Sequence, residues 1–492
     1  GTGSLRQAIA QANVSAASSD TITFAIPGGG VHSIRPLSAL PAITKTVTID
    51  GYSQPGSAVN TLNTGASNAV LVIELDGSQA GMADGLRFAP GSGAGVVSGL
   101  VINRFQGAGI YLAAGAGPLD STWVRIWGNF IGTDPAGTLA RGNGSGIVVD
   151  GGSSAIIGQY ATDTAAPLAV NLISGNLGHG VYFATGNTGG AGSGDTVYNN
   201  LIGTDAAGTA ALGNGLDGIA IENLPSQPFR LSTFKGNVIA ANGGDGVRIL
   251  GGRATLLDNL IGVGIGSRGA NGPALGNAGD GVYVGEAAGA VTLNDQKYTS
   301  GFAAGHASIA NNGGAGLYVD GNAQVDVVAQ GFDHNGGLGI DIAPAGPNAN
   351  DAGDADGGPN ERLNAPVLDA VAYDPVTGYG DVAGHLDSNP GVEVEVALYH
   401  SDRCDPSGFG EGAVYGLRGS WPDDSRTLTT DPGGHTEFTL HSGSLQPGMA
   451  ISYRTRRVTT APGPAAIVVS EFSNCLVVPG GDVVFANGFE FD

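Results

Sequence analysis

From Gly81 to Ile342 the sequence repeats one short phrase: an asparagine, a few small residues, a glycine, then an alternating apolar triplet. It recurs as Asn143 to Val149, Asn176 to Phe183, Asn214 to Ile221, Asn242 to Ile249, Asn277 to Val284 and Asn312 to Val319. Self-similarity at a period of a few tens of residues marks a solenoid, in which each repeat is one supersecondary unit that buries its core only against its neighbours. Equivalent positions then stack at the strand spacing of roughly 4.8 Å. Each unit parses into three short strands bounded by Gly, Asn, Asp or Ser: Ile147 to Val149, Ala155 to Ile157 and Leu172 to Ser174 in one turn. Parallel strands joined without helices and wound with the usual right-handed crossover predict a parallel β-helix. A leucine-rich repeat is the alternative, but its leucine-and-asparagine consensus is missing.

The rest of the chain fits around that solenoid. Ser4 with Gln7 three residues on forms a capping box before Leu5, Ala8, Ile9 and Ala12 at helical spacing, which predicts a short helix over one open end. Residues 1–80 read as this cap and the first strands, and 81–345 as the β-helix. Residues 346–364 form a junction rich in Asp, Gly and Asn. Alternating strands with frequent turn signals predict a β-sandwich of immunoglobulin-like type over 365–478, and 479–492 form a tail. Three turns carry a similarly worded loop, Ile131 to Gly142, Ile202 to Gly213 and Ile261 to Gly276, expected to project in register. Larger departures at Pro225 to Phe229 and Leu293 to Ala304 are expected to wall any binding face.

Composition narrows the function classes. Eighty-eight glycines and 24 prolines approach the level at which aperiodic sequence is read as disordered, but the period and a 41% hydrophobic content argue against disorder. A net charge of −23, with Lys45, Lys235 and Lys297 the only lysines, disfavours nucleic acid and anionic membrane as partners. No apolar run is long enough to span a membrane. Cys404 and Cys475 both lie in the last quarter, which fits one disulfide in an oxidising compartment. The chain starts at Gly1 without a charged segment and apolar core of signal type, so any secretion signal is expected to have been removed or left out.

The opening Ser4-Leu5-Arg6-Gln7-Ala8-Ile9 resembles the N-terminal motif of secreted bacterial β-helix proteins known by their CSLREAI segment, with Gly3 where that motif has cysteine. Thr48-Ile49-Asp50-Gly51 with Ser53-Gln54-Pro55-Gly56, the Ile-Gly-Thr-Asp loops, and Asp405-Pro406-Ser407-Gly408 with Ser470-Glu471-Phe472-Ser473 look like the same group, as does the tail Val484 to Glu490 like a signature of exported proteobacterial proteins. The resemblance covers nearly the whole chain. It implies a secreted or surface-located right-handed β-helix of the pectate-lyase-like class with an attached sandwich, in a group with many members of unknown activity.

Aligning the repeats with one another yields columns. The residue before the recurrent glycine reads Asp84, Ala108, Ser145, His179, Asp217, Asp245, Asp280, Ala315, Leu338. Two positions beyond that glycine, pointing outward, the column reads Arg87, Tyr111, Val148, Tyr182, Ala220, Arg248, Tyr283, Tyr318, Asp341. The next outward column includes Asp150, Glu222 and Asp320. Tyr111, Tyr182, Tyr283, Tyr318 and Asp150 suit a polysaccharide, whose rings stack on aromatic rings while carboxylates and guanidinium bind its hydroxyls or uronates. Asp217, Asp245 and Asp280 are the sharpest cluster. Stacked carboxylates repel, which raises a pKa or attracts a cation. Neighbouring rungs match the carboxylate spacing of a retaining glycosidase, and Asp150 with Glu222, two rungs apart, approaches the inverting spacing. His179 is a candidate base or acid, and Arg248 the group that would neutralise a uronate in a lyase. The structural alternative is that Asp before Gly is ordinary turn chemistry.

Asp351, Asp354, Asp356 and Asn360 crowd hard oxygen ligands as calcium loops do, against the alternative of a solvated acidic linker. No nucleophile elbow, zinc motif, phosphate loop or dinucleotide fingerprint occurs. The sequence-based reading is therefore recognition of an extracellular polysaccharide, with depolymerisation by a lyase or glycoside hydrolase as its catalytic form. A non-catalytic adhesin or stalk is the rival. Oligomeric state is not readable.

Overall fold

A computed structural model describes residues 3–114, 123–151, 155–158, 170–184, 194–222, 231–266, 272–294, 308–416, 425–442, 445–458 and 467–480. Pro225 to Phe229, most of Leu293 to Ala304 and the tail beyond 480 lie outside the described residues. Two parallel sheets dominate, one of seventeen strands and one of ten, and every pairing within them is parallel, as a β-helix requires. In the turn parsed above the strands run Ser145–Val149, Ala155–Gly158 and Leu172–Ile173, matching the expected three per rung. The seventeen-stranded sheet holds two of the three faces, because long bent strands such as Val247–Leu257 carry the chain around the corner between them.

Winding starts well before the repeated phrase. Asp20–Thr23 pairs with Val47–Asp50, which pairs with Val96–Ser98, so the first rungs are built from residues expected only to lead into them. These rungs turn on Asp50 and Asp76, whose side chains accept from Tyr52 and Ser78 backbone N–H groups, and so lack the Asn-to-Gly wording. The helix Leu5–Val14 closes this end with Leu5, Ile9 and Ala12 buried. Ser4 caps it by accepting from Gln7 N–H, while the Gln7 side chain reaches back to Gly3 N–H.

Two ladders of buried asparagines explain why the phrase is invariant. At one corner Asn143, Asn176, Asn214, Asn242, Asn277, Asn312 and Asn335 stack, each Oδ1 after the first accepting both the backbone N–H and the side-chain NH2 of the asparagine before it. At a second corner Asn129, Asn171, Asn200, Asn237 and Asn259 form another such stack. A corner must turn without strand hydrogen bonds, and an amide that both donates and accepts supplies them along the axis. The recurrent glycine follows from the same crowding. A Cβ on Gly218 would stand 2.5 Å from Ile239 Cγ2 and 2.7 Å from Gly246 O.

The three similarly worded loops stack as expected: Ala206 N–H donates to Gly137 O and Ile265 N–H to Gly208 O. At the other end the chain forms a β-sandwich, as expected. One sheet comprises Val367–Asp374, Tyr379–Asp387 and His435–Ser442, and the other is built on Glu393–Ser401, Ala450–Val458 and Ile467–Phe472. Between them pack Val382, Leu386, Val396, Leu398, Phe438 and Tyr453. The second sheet turns Tyr399, Val469 and Phe472 into the core of the β-helix, so the sandwich also seals its last rung. Cys404 and Cys475 form the expected disulfide, with Cα atoms 5.7 Å apart.

Candidate functional site

Strand register places the outward column as aligned: Arg87, Tyr111, Val148, Tyr182, Ala220, Arg248, Tyr283, Tyr318 and Asp341 are successive partners across one face. Beside it, the column before the glycine is itself a hydrogen-bond ladder. Asp217 Oδ1 accepts Asp245 N–H at 2.7 Å, Asp245 Oδ1 accepts Asp280 N–H at 2.8 Å and Asp280 Oδ1 accepts Ala315 N–H at 2.7 Å. One oxygen of each aspartate therefore belongs to the scaffold.

The second oxygens separate the three residues. Asp217 Oδ2 lies 3.2 Å from His179 Nδ1, whose ring stacks on Tyr182 with centroids 5.0 Å apart. Asp245 Oδ2 accepts from the Arg248 guanidinium at 2.8 Å. Burial leads in raising the Asp245 carboxyl above its ordinary range, with the Asp217 charge adding to it and Arg248 opposing. Among the described residues no such cation lies at contact distance from Asp280. Burial, then the charges of Asp245 and Asp341, push its carboxyl up to about 6.

Tyrosines pair with carboxylates one rung further on. Tyr111 OH donates to Asp150 Oδ2 at 2.7 Å, Tyr283 OH to Asp320 Oδ2 at 2.8 Å, and Tyr182 OH to Glu222. Burial, then its hydrogen bond to Asp320 and the charge there, hold the Tyr283 hydroxyl up at about 12. Their ring faces lie against rung neighbours: Arg87 sits 4.1 Å over Tyr111, Arg248 4.2 Å over Tyr283, and Tyr318 stacks on the other side of Tyr283 at 5.7 Å. The surface accordingly offers ring edges, hydroxyls, carboxylates and guanidinium groups, and hydrogen bonding outweighs the ring stacking expected from sequence.

Three residues outside the sequence-based candidate set complete the pattern: Asp84, Arg87 and Asp320. Asp84 Oδ1 accepts Ala108 N–H at 2.9 Å, Asp84 Oδ2 pairs with Arg87 at 3.0 Å, Arg87 covers Tyr111, and Tyr111 binds Asp150. Asp245, Arg248, Tyr283 and Asp320 repeat this arrangement contact for contact. Five rung steps, about 24 Å at strand spacing, separate the two copies. A cavity of about 480 Å³ lined by Leu40, Met82, Asp84, Arg87 and Gln106 adjoins the first copy. The signal for the omitted residues was their place in the same columns.

The acidic junction is packed, not a solvated linker. Asp351, Asp354 and Asp356 do gather their carboxylates within 4.8 Å. Asn360 does not join them. Its Oδ1 accepts Val325 N–H and its Nδ2 donates to Val325 O and Val469 O, so the side chain splices the last rung to the sandwich. Asp354 accepts from Asn364 N–H and Ser388 Oγ and is ion-paired with the buried Arg457. Asp351 retains one buried oxygen with no hydrogen-bond partner.

No family model matches the chain, and no curated protein matches it. Among solved structures it is similar to full-length tailspike protein 2 of Escherichia coli O157:H7 bacteriophage CAB120, at 11% identity, over 97% of this chain and 66% of that one, with a TM-score of 0.22. A likeness that loose carries no argument about chemistry, and the β-helix stands on the strand pairings themselves. Among the described residues no helix is long and apolar enough to cross a membrane.

Proposed function

We propose that the protein binds an extracellular polysaccharide along this face, and that Asp280 is the acid in any cleavage of it. The reading rests on the twice-repeated Asp, Arg, Tyr and acid arrangement aligned with the solenoid axis, because an extended polymer of hydroxyls and acidic groups needs hydrogen-bonding partners recurring along its length. The resemblance to the secreted CSLREAI group and the disulfide support an extracellular setting. In a hydrolase, Asp280 would protonate the leaving oxygen and Asp245, one rung away, would be the second carboxylate. In a lyase, Arg248 would face the uronate. Calcium at Asp351, Asp354 and Asp356 belongs to the same reading as a clasp beside the sandwich and takes no part in the reaction.

A non-catalytic adhesin is the second reading. The commitment of Asp217 to His179, of Asp245 to Arg248, and of Asp150 and Glu222 to tyrosine hydroxyls favours it. Incubation with a glycan panel, reading bound glycan, reducing ends and unsaturated uronate absorbance, decides between them. Cleavage by wild type that is lost in Asp280→Asn, with binding kept, supports catalysis. Binding without product from any glycan leaves an adhesin, and no binding at all removes the polysaccharide.

A further inference from the structure

The last rung meets the sandwich at a second cluster of ligand-type side chains, far along the chain from the aspartate ladder. Asp333 and His334 follow Phe332 on the ten-stranded sheet, and Asp402 follows the sandwich strand Glu393–Ser401. One ligand atom from each of the three lies within 4.8 Å of the others. His334 Nδ1 is 2.7 Å from Asp333 Oδ2. A cavity of about 550 Å³ lined by Asp333, His400, Asp402, Val414 and Met449 opens beside them.

Two buried oxygens at this place lack partners. Asp333 Oδ1 is buried without a hydrogen bond, and so is Oε2 of Glu411, a residue only 1% exposed. Glu411 belongs to the same locus: Gly412 O accepts Phe332 N–H at 2.9 Å, which lays the Glu411–Gly412 backbone alongside the Phe332–Asp333 strand. Asp333, Asp405, Arg403 and His334 are the charges that act on its carboxyl. A buried carboxylate oxygen without a donor is expensive, and that of Asp333, close to the Asp402 carboxylate, calls for positive charge.

We propose that Asp333, His334 and Asp402 form a zinc site that fastens the sandwich to the final rung of the β-helix. Imidazole nitrogen with two carboxylate oxygens, and a water from the cavity in the fourth position, is a ligand set that zinc takes in tetrahedral geometry. Calcium prefers six to eight oxygens, and this place provides fewer. Because the ligands come from both domains, the ion would tie domain docking to metal supply.

The test uses the full chain, stripped with chelator and dialysed, with zinc chloride and calcium chloride titrated by calorimetry and followed by thermal unfolding. Asp402→Asn is isosteric at an exposed position. His334→Asn keeps the left-handed backbone at φ 53°, which asparagine tolerates. The expectation is one more zinc per chain in wild type than in either variant, at least tenfold tighter than any remaining site. Zinc should raise the melting temperature of wild type only, while the metal-free temperatures of all three agree. Retention of the site in either variant, absence of saturable zinc binding, or tighter binding of calcium than of zinc at this site would overturn the proposal.

Discussion

Two ladders run along the axis of the β-helix, a long one of asparagines and a short one of Asp217, Asp245 and Asp280, and they use one device with two chemistries. In the asparagine ladder a buried side-chain oxygen accepts the backbone N–H of the preceding asparagine, and in the aspartate ladder a half-buried oxygen accepts the N–H of the rung that follows. The asparagines also donate, which closes the chain of partners inside the wall. Aspartate cannot donate when ionised, so its second oxygen faces outward and must find a cation, a proton or a ligand. For scaffold alone a neutral amide would serve. Charge on the outer ladder is therefore what the proposed binding face would use.

The largest effect should come from breaking the inner ladder. Asn214→Ala removes the acceptor of Asn176 N–H and Nδ2 and the donor to Ile173 O and Asn242 Oδ1, and should cost about 3 kcal/mol or more, read as a lowered urea midpoint. Asp217→Ala should cost less, about 1 to 2 kcal/mol, since it strands the Asp245 N–H and removes one contact to His179. If both substitutions cost the same, the distinction between the ladders fails.

Asp280→Asn should act in the opposite direction. With its carboxyl raised to about 6, the folded chain keeps this proton to higher pH than the unfolded chain, whose group titrates near the ordinary 3.8. Wild-type stability should therefore fall as pH rises from about 4 to about 6, and the deficit should be complete above that window. Asparagine does not titrate and still offers Oδ1 to Ala315 N–H. The variant should be more stable than wild type at pH 7, on the order of 1 kcal/mol after screening is allowed for, and no more stable at pH 3.5. Equal pH profiles would show that Asp280 is not perturbed. Arg248→Gln should produce the smallest change in stability, about 1 kcal/mol, because the guanidinium is 36% exposed and glutamine can still donate to the buried Asp245.

Much of this was legible in the sequence, because a repeat gives each position its neighbours without any knowledge of three-dimensional contacts. Register placed Tyr182, Arg248 and Tyr283 in one column before any coordinate did. What was hidden depends on side-chain geometry across rungs. Tyrosine faces close against Arg87, Arg248 and Tyr318 because outward side chains one rung apart are near enough to stack, a consequence of spacing that periodicity alone does not express. The second asparagine ladder had its own signal, Asn followed by an apolar residue and Ile at Asn129, Asn171, Asn200, Asn237 and Asn259, but that wording is shorter than the Asn-to-Gly phrase. Asn360 looked like a metal ligand for its composition, and only the approach of the sandwich shows that Val325 and Val469 use its amide.

The central claim is that the outward charges serve a polymer and the inward amides serve the fold. Its most direct test is binding of a glycan panel to wild type and to Arg87→Gln with Arg248→Gln, which alters both copies of the repeated arrangement and leaves each ladder oxygen in place. The account predicts a glycan bound by wild type and bound at least tenfold more weakly by the double variant, with unchanged melting temperature. Binding that is indifferent to both substitutions would contradict it.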